Sequence, residues 1–164
     1  MSGFALRHDP RPGDAELLAA IAAACGNFAP AEIAFVPEIL AQLAEQGAEA
    51  SGYRLLVAED PDGPAGFAIY GPIPATDGSY DLYWIATHPR ARGRGAGRLL
   101  LAEAARRAAA EGAARLFIET ETGADYAAAH RLYESCGFPL IATVPDYYRS
   151  GSGKAIYGGP LKRG

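Results

Sequence analysis

Only two cysteines, Cys25 and Cys136, occur in the 164 residues, too few and too plainly spaced for a disulfide framework or a zinc site. An excess of basic charge is also missing. Fifteen Lys and Arg against nineteen Asp and Glu leave a formal net charge of −4, so no overall positive field recruits nucleic acid. No apolar run approaches the roughly eighteen residues of a membrane span, and the N-terminus reaches His8-Asp9-Pro10 without the apolar core of a signal peptide. The expected setting is therefore cytoplasmic, with no membrane partner. The three histidines (His8, His88, His130) show no ligand spacing with the cysteines, so no metal is expected. What is present is ordinary globular material: 49% hydrophobic and 21% charged residues, with Gly and Pro together about a fifth of the chain. At 17.1 kDa the expectation is one domain over residues 1–164, long enough to bury a core unaided.

Phe4 to Arg7 alternates like a short strand and stops at Asp9-Pro10. Asp14 stands at an N-cap position before Leu17, Leu18, Ile21 and Cys25 at helical spacing, with Gly26 as the stop. Pro30 to Gln46 repeats the helical pattern, with a kink expected at Pro37. Tyr53–Glu59 and Ala65–Tyr70 read as a hairpin about Pro61-Asp62-Gly63-Pro64. A strand rich in Tyr, Trp and Ile follows over Ser79–Thr87, then a helix from about Gly97 to Glu111. Arg115–Glu121 is a strand, Asp125–Ser135 a helix ended by Gly137, and Phe138–Val144 and Ala155–Leu161 are the last strands. The order β-α-α-β-β-β-α-β-α-β-β predicts an α/β fold, more closely an α+β arrangement on a mixed sheet.

Chemistry concentrates between Trp84 and Arg98, where a strand enters a turn of alternating glycine and arginine that opens an amphipathic helix. Free N–H groups and the helix dipole at such a start make an anion site. Gly93, Gly95 and Gly97 let a phosphate approach the backbone, and Arg90, Arg92, Arg94 and Arg98 add countercharge. Other phosphate motifs fail. Gly151-Ser152-Gly153-Lys154-Ala155 lacks both ends of a Walker loop, and the G-x-G-x-x-G fingerprint breaks after Gly93 and Gly95.

The run Arg92-x-x-Gly95-x-Gly97, after Thr87-His88-Pro89 and before a helix, resembles the acyl-CoA signature of the GNAT N-acetyltransferase superfamily. The later run His130-Arg131-Leu132-Tyr133-Glu134-Ser135-Cys136-Gly137-Phe138 resembles that family's second segment, in which a tyrosine shortly precedes Gly-Phe. Both motifs lie between Tyr80 and Phe138, while the first fifty residues fit in element order only. The resemblance implies acetyl-CoA as cosubstrate. Its pyrophosphate would lie on Arg92, Gly93, Arg94, Gly95, Ala96 and Gly97, with Arg98 close by. Its pantetheine arm would pair with the backbone of Ile85, Ala86 and Thr87 like an added strand. An N–H near Ile85 or Ala86 would face the thioester oxygen.

The same resemblance implies that Tyr133 protonates or positions the departing thiolate; packing beside Phe138 is the plain alternative. Glu119 resembles the glutamate that serves the bacterial ribosomal-protein alanine acetyltransferases. That correspondence could slip to Glu121, and Asp81, placed by alternation on one strand face with Tyr83 and Ile85, is a second candidate base. One departure stands out: many members carry an asparagine seven residues before the tyrosine, helping to hold pantetheine, and here that place is Tyr126.

On the acceptor side the candidates are Phe28, Glu38, Asp81, Tyr83 and Tyr147, the last within Asp146-Tyr147-Tyr148. Tyrosines around a cleft suit a small polar amine, although sheet edges are also rich in tyrosine. The expected activity is acetyl transfer to a primary amine of a small molecule or amino acid by direct attack in a ternary complex. A protein N-terminus or lysine as acceptor, and a catalytically silent CoA-binding regulatory module, stay open. The resemblance also admits a homodimer.

Overall fold

In the computed structural model, which describes residues 3–162, one seven-stranded sheet runs in the order β1-β2-β3-β4-β5-β7-β6. The strands are β1 (Ala5–Arg7), β2 (Arg54–Asp60), β3 (Gly63–Pro72), β4 (Ser79–Thr87), β5 (Arg115–Glu121), β6 (Leu140–Arg149) and β7 (Ser152–Pro160). The helices are α1 (Asp14–Cys25), α2 (Pro30–Ile33), α3 (Phe35–Ser51), α4 (Ala96–Ala110) and α5 (Ala127–Ser135). Every neighbouring pair is antiparallel except β4 and β5, which are parallel. The α4 crossover makes that one parallel pair possible.

The two faces of β2, β3 and β4 carry separate cores. Against α4 and α5 lie Leu56, Tyr70, Leu82, Leu100, Leu116 and Tyr133, while α1 and α3 cover Leu55, Val57, Phe67, Ile69 and Trp84 with Leu18 and Leu40. Each fully buried Leu or Phe adds about 1.5–3 kcal/mol, so β3, buried on both faces, anchors the sheet. α4 follows its pattern closely: Leu100, Leu101, Ala104 and Ala108 face inward, while Glu103 bridges Arg106 and Arg107 at 2.7 and 2.8 Å on the outer side.

Several local expectations are corrected. Asp14 is the first helical residue; Gly13, at φ 88°, is the cap. The Asp14 carboxylate is drawn inward, where it accepts from both Arg7 Nη atoms at 2.7 and 2.8 Å and from the Arg11 N–H. Burial, the largest single influence, opposes its ionisation, but the bonds and charges of Arg7 and Arg11 together outweigh it and hold its pKa below the ordinary carboxylate value. The second helix breaks at Ala34, because Pro37 falls in the first turn of α3, where a missing N–H costs no helical bond. α3 then runs past Gln46 to Ser51 through a non-helical residue, Gly47 (φ 77°, ψ 173°). β6 extends to Arg149, so Asp146-Tyr147-Tyr148 belongs to that strand.

The most consequential correction lies in β4. Tyr70 pairs with Leu82 and Ile69 with Trp84, leaving Tyr83 as an extra residue, a β-bulge. A bulge reverses side-chain phase. Tyr80 and Leu82 pack in the α4 core, Trp84 and Ala86 in the α1/α3 core, and Ile85 turns to the α4 side. Asp81 therefore shares its sheet face with Trp84, not with Ile85.

Candidate active site

The bulge also opens the sheet. β4 and β5 stay paired only from Ser79–Leu82 to Arg115–Ile118, after which the strands diverge and the edge of β4 from Tyr83 to Thr87 has no strand partner on that side. A cavity of about 530 Å³ fills the gap. Its walls are the free half of β4 (Ile85, Ala86, Thr87), the turn into α4, the end of β5 (Glu119, Thr120), and α5.

His88 to Arg98 forms the second wall. A short 3₁₀ turn at Pro89–Ala91 buries Ala91 and swings the chain so that Gly93 (φ 73°) and Gly95 (φ 89°) take left-handed conformations. Among the described residues the N–H groups of Gly93, Gly95, Ala96, Gly97 and Arg98 have no protein acceptor. A Cβ at 93 or 95 would meet open space, so these glycines serve the turn itself. Gly97 is different: a Cβ there would lie 3.1 Å from Leu132 Cδ2, so its smallness accommodates α5 rather than a phosphate.

The four arginines divide into two pairs. Arg90 and Arg94 both bind Asp60 Oδ2, at 2.6 and 3.1 Å, and Arg94 lies over the Phe4 ring. Arg92 and Arg98 meet only uncharged acceptors, the Cys25 carbonyl at 2.9 Å and Ser135 Oγ at 2.8 Å. The cavity wall thus keeps two unneutralised cations. Arg94, expected at the phosphate, is corrected: it does not line the cavity, because Asp60 and Phe4 hold it on the far side of the turn.

Tyr133 stands on α5 one turn before Gly137 (φ 90°), where the Phe138 N–H returns to the Tyr133 carbonyl at 2.9 Å. Its ring is buried edge-on to Tyr157 at 5.5 Å, and its hydroxyl, with no partner among the described residues, opens on the cavity. Burial, with Tyr157 secondary, pushes its pKa up, so it remains a phenol across the working pH range. Tyr126 spans the opposite lip, its hydroxyl donating to the Asn27 carbonyl at 2.5 Å. Phe28, 4.6 Å from Trp84, closes the same side with Tyr83.

Glu119 lines the cavity and is bridged to Lys154 at 2.7 Å. Glu121, the alternative, is occupied by Arg149 and by Ser152 Oγ at 2.8 Å. Asp81 is half-buried on the same sheet face as Glu119; burial first, then the Glu119 charge, raises its pKa to about 6, with Lys154 pulling the other way. Three acceptor candidates fall outside the cavity lining. Asp81 lies behind it in the paired half of β4, Glu38 is exposed on α3, and Tyr147 is exposed on β6 with Lys154 4.4 Å above its ring. Residues missed from sequence include Cys25, whose thiol donates to the Thr87 carbonyl at 3.1 Å, and Asn27. Both sit at the α1 terminus, where Gly26 marked a helix stop but nothing marked its contact with β4.

Among the described residues no group of His, Cys, Asp or Glu side chains is arranged to hold a metal ion, and no helix is long and apolar enough to cross a membrane. Residues 21–138 match the model of the acetyltransferase (GNAT) family. A GNAT-family protein from Desulfovibrio desulfuricans is 39% identical over 97% of this chain and 99% of its own, with a TM-score of 0.92. A ribosomal-protein-alanine N-acetyltransferase from Brucella melitensis is 28% identical over 96% of this chain and 99% of its own (TM-score 0.77). A protein from Salmonella typhimurium whose structure holds its cofactor acetyl-CoA shares the fold at 22% identity, over 99% of this chain and 96% of its own (TM-score 0.78). No curated protein sequence matches the chain.

Proposed function

The chain belongs to the acetyltransferase (GNAT) family and is an acetyl-CoA-dependent N-acyltransferase; from that premise we propose that its acceptor is the primary amine of a small molecule or amino acid, attacked directly in a ternary complex. The observation that carries the acyl-donor half of this reading is the free edge of β4 leading into five unpartnered N–H groups between Gly93 and Arg98, and the cavity end walled by Phe28, Tyr83 and Trp84 supports a small acceptor. An unpaired strand edge suits the amides of pantetheine, and a helix start with two unneutralised arginines suits a pyrophosphate. These residues fit acetyl-CoA. When bound it would supply a thioester whose acetyl carbon accepts the amine.

The chain's own groups then divide the work. Gly93, Gly95, Ala96, Gly97 and Arg98, with Arg92, hold the phosphates; Ile85 to Thr87 hold the arm; an N–H at Ile85 or Ala86 faces the oxygen on which charge develops. An alkyl amine is protonated near pH 7 and must lose its proton before its nitrogen bonds to carbon. Glu119 takes that proton, directly or through one water, with Lys154 bridged to its carboxylate at 2.7 Å and holding it in place. Asp81, behind it, adds negative charge that favours an ammonium at the mouth. Tyr133 donates its hydroxyl hydrogen to the sulfur as the C–S bond breaks, and the second proton shed by the newly acylated nitrogen returns it to the phenol form. Phe28, Tyr83 and Trp84 wall the acceptor end.

A protein α-amine is the second reading. The β6–β7 hairpin leaves that end open, with Tyr147 and Tyr148 exposed, so a longer acceptor could enter. The test is calorimetric titration with acetyl-CoA followed by thiol release over small amines, amino acids and short peptides. Turnover on small amines with none on peptides supports the first reading, and the reverse supports the second. Binding without any turnover points to a regulatory module, and absence of binding removes the turn from the cofactor site.

A further inference from the structure

A second cavity, of about 850 Å³, lies at the opposite end of α4 and β4 from the first. β1 covers β2 only at Val57–Glu59, so the edge of β2 at Arg54–Leu56 is left bare as the chain turns away through His8-Asp9-Pro10. α3 forms one wall around its break at Gly47, and α4 forms the other with Arg107 and Glu111.

The floor is polar. Tyr70 is 1% exposed, and its hydroxyl has no hydrogen-bond partner among the described residues. No fully enclosed side-chain polar atom there lacks a partner, so this hydroxyl opens on the cavity. Burial first, then Glu111, pushes the phenol's pKa up against Arg107 and Arg54, and it stays a neutral donor. Arg54 donates Nε to Glu111 at 2.8 Å and Nη1 to the Ala48 carbonyl at 2.7 Å, which leaves Nη2. Arg107 donates Nε to Glu103 at 2.8 Å and turns Nη2 to His8 Nδ1 at 3.3 Å, which leaves Nη1. Tyr70 Oη, Arg54 Nη2 and Arg107 Nη1 thus have no protein acceptor among the described residues, while Glu111 and Glu103 each pair one guanidinium through Nε and Glu111 shares the floor. At the rim Glu49 has no ion pair among the described residues, and Asp9 lies 3.9 Å from His8 Nε2.

We propose that this cavity is a second binding site, for a small zwitterion of the α-amino-acid class, its carboxylate inward against Tyr70, Arg54 and Arg107 and its ammonium outward against Glu49 and Asp9. A simple anion would reach the free donors but meet Glu111 beside them and the rim carboxylates, and a simple cation would meet the two guanidiniums. The site is separate from the acetyl-transfer cavity, so its failure leaves the acyltransferase reading untouched.

The test is amide-resolved NMR of the full chain titrated to millimolar L-alanine, L-glutamate and L-lysine, with acetate as a control. The expected result is saturable shifts at Arg54, Tyr70, Tyr80, Arg107 and Glu111 for at least one amino acid. Tyr70→Phe should weaken that binding about tenfold while acetyl-CoA affinity stays unchanged. Glu49→Gln, on an exposed residue that cannot endanger the fold, should weaken the amino acid a few-fold and acetate not at all. No saturable shift with any probe overturns the proposal. So do shifts confined to Glu119 and Tyr133, or acetate binding as tightly as the amino acid.

Discussion

The two halves of β4 come from similar sequence and end in opposite states. From Ser79 to Leu82 the strand is paired on both edges, whereas from Tyr83 to Thr87 it is paired to β3 alone. A single extra residue at Tyr83 separates them. The turn that follows repeats the contrast: Arg90 and Arg94 share the Asp60 carboxylate, while Arg92 and Arg98 have no carboxylate partner beside five free N–H groups. Pairing marks the scaffold, and its absence in a walled cavity leaves backbone donors and acceptors open to a ligand.

The contrast is broken most severely by Gly95→Glu, which forces a side chain onto φ 89° and sets a negative charge among the free N–H groups. Acetyl-CoA affinity should fall by at least about a hundredfold in calorimetry, with a far-ultraviolet spectrum like the parent's. Undiminished affinity would mean the unpaired half has another purpose. Next comes Tyr133→Phe, which removes only the hydroxyl facing the open half. kcat should drop about a hundredfold with acetyl-CoA Kd changed less than about twofold, and equal losses in both would make Tyr133 a packing residue.

Asp81 tests the closed half. Its folded pKa of about 6 lies above the ordinary carboxylate value of 3.8, so the native state holds the proton more tightly than the unfolded one. Stability therefore declines as pH rises from about 4 to 6, and the cost persists above. Asp81→Asn should raise stability at pH 7–8 by on the order of 1–3 kcal/mol, at about 2–4 °C per kcal/mol, and the gain should vanish below pH 4. A thermal melt series over pH that shows no such convergence would remove the burial account. The smallest effect is expected from Arg94→Ala: acetyl-CoA affinity should change less than about twofold, against a clear loss for Arg98→Ala. Equal losses would erase the division among the arginines.

Much of this was legible in advance. Helical and alternating periods are local, so element order, the α4 face and the strand ending at Thr87 could be read directly from residue spacing. The glycine and arginine turn was legible for the same reason, since φ above zero and a helix start are properties of a few adjacent residues. Asp14 shows where this stops. It has the right type for a cap, yet its partner Arg7 lies across a loop, and the ion pair drew it into the helix. Gly97 shows it again, because a glycine chosen for α5 looks the same as one chosen for phosphate.

The sequence by itself determined the order of the elements, the glycine and arginine turn, and the tyrosine ahead of Gly137-Phe138, because short-range sterics and periodicity encode them. Tertiary structure alone decided which half of β4 is open, which arginines keep their charge, and that Asp81 stands behind the cavity while Tyr126 reaches across it to Asn27. Each of those rests on contact between segments far apart in the chain. One bulge can exchange the two faces of a strand without changing the residue pattern around it.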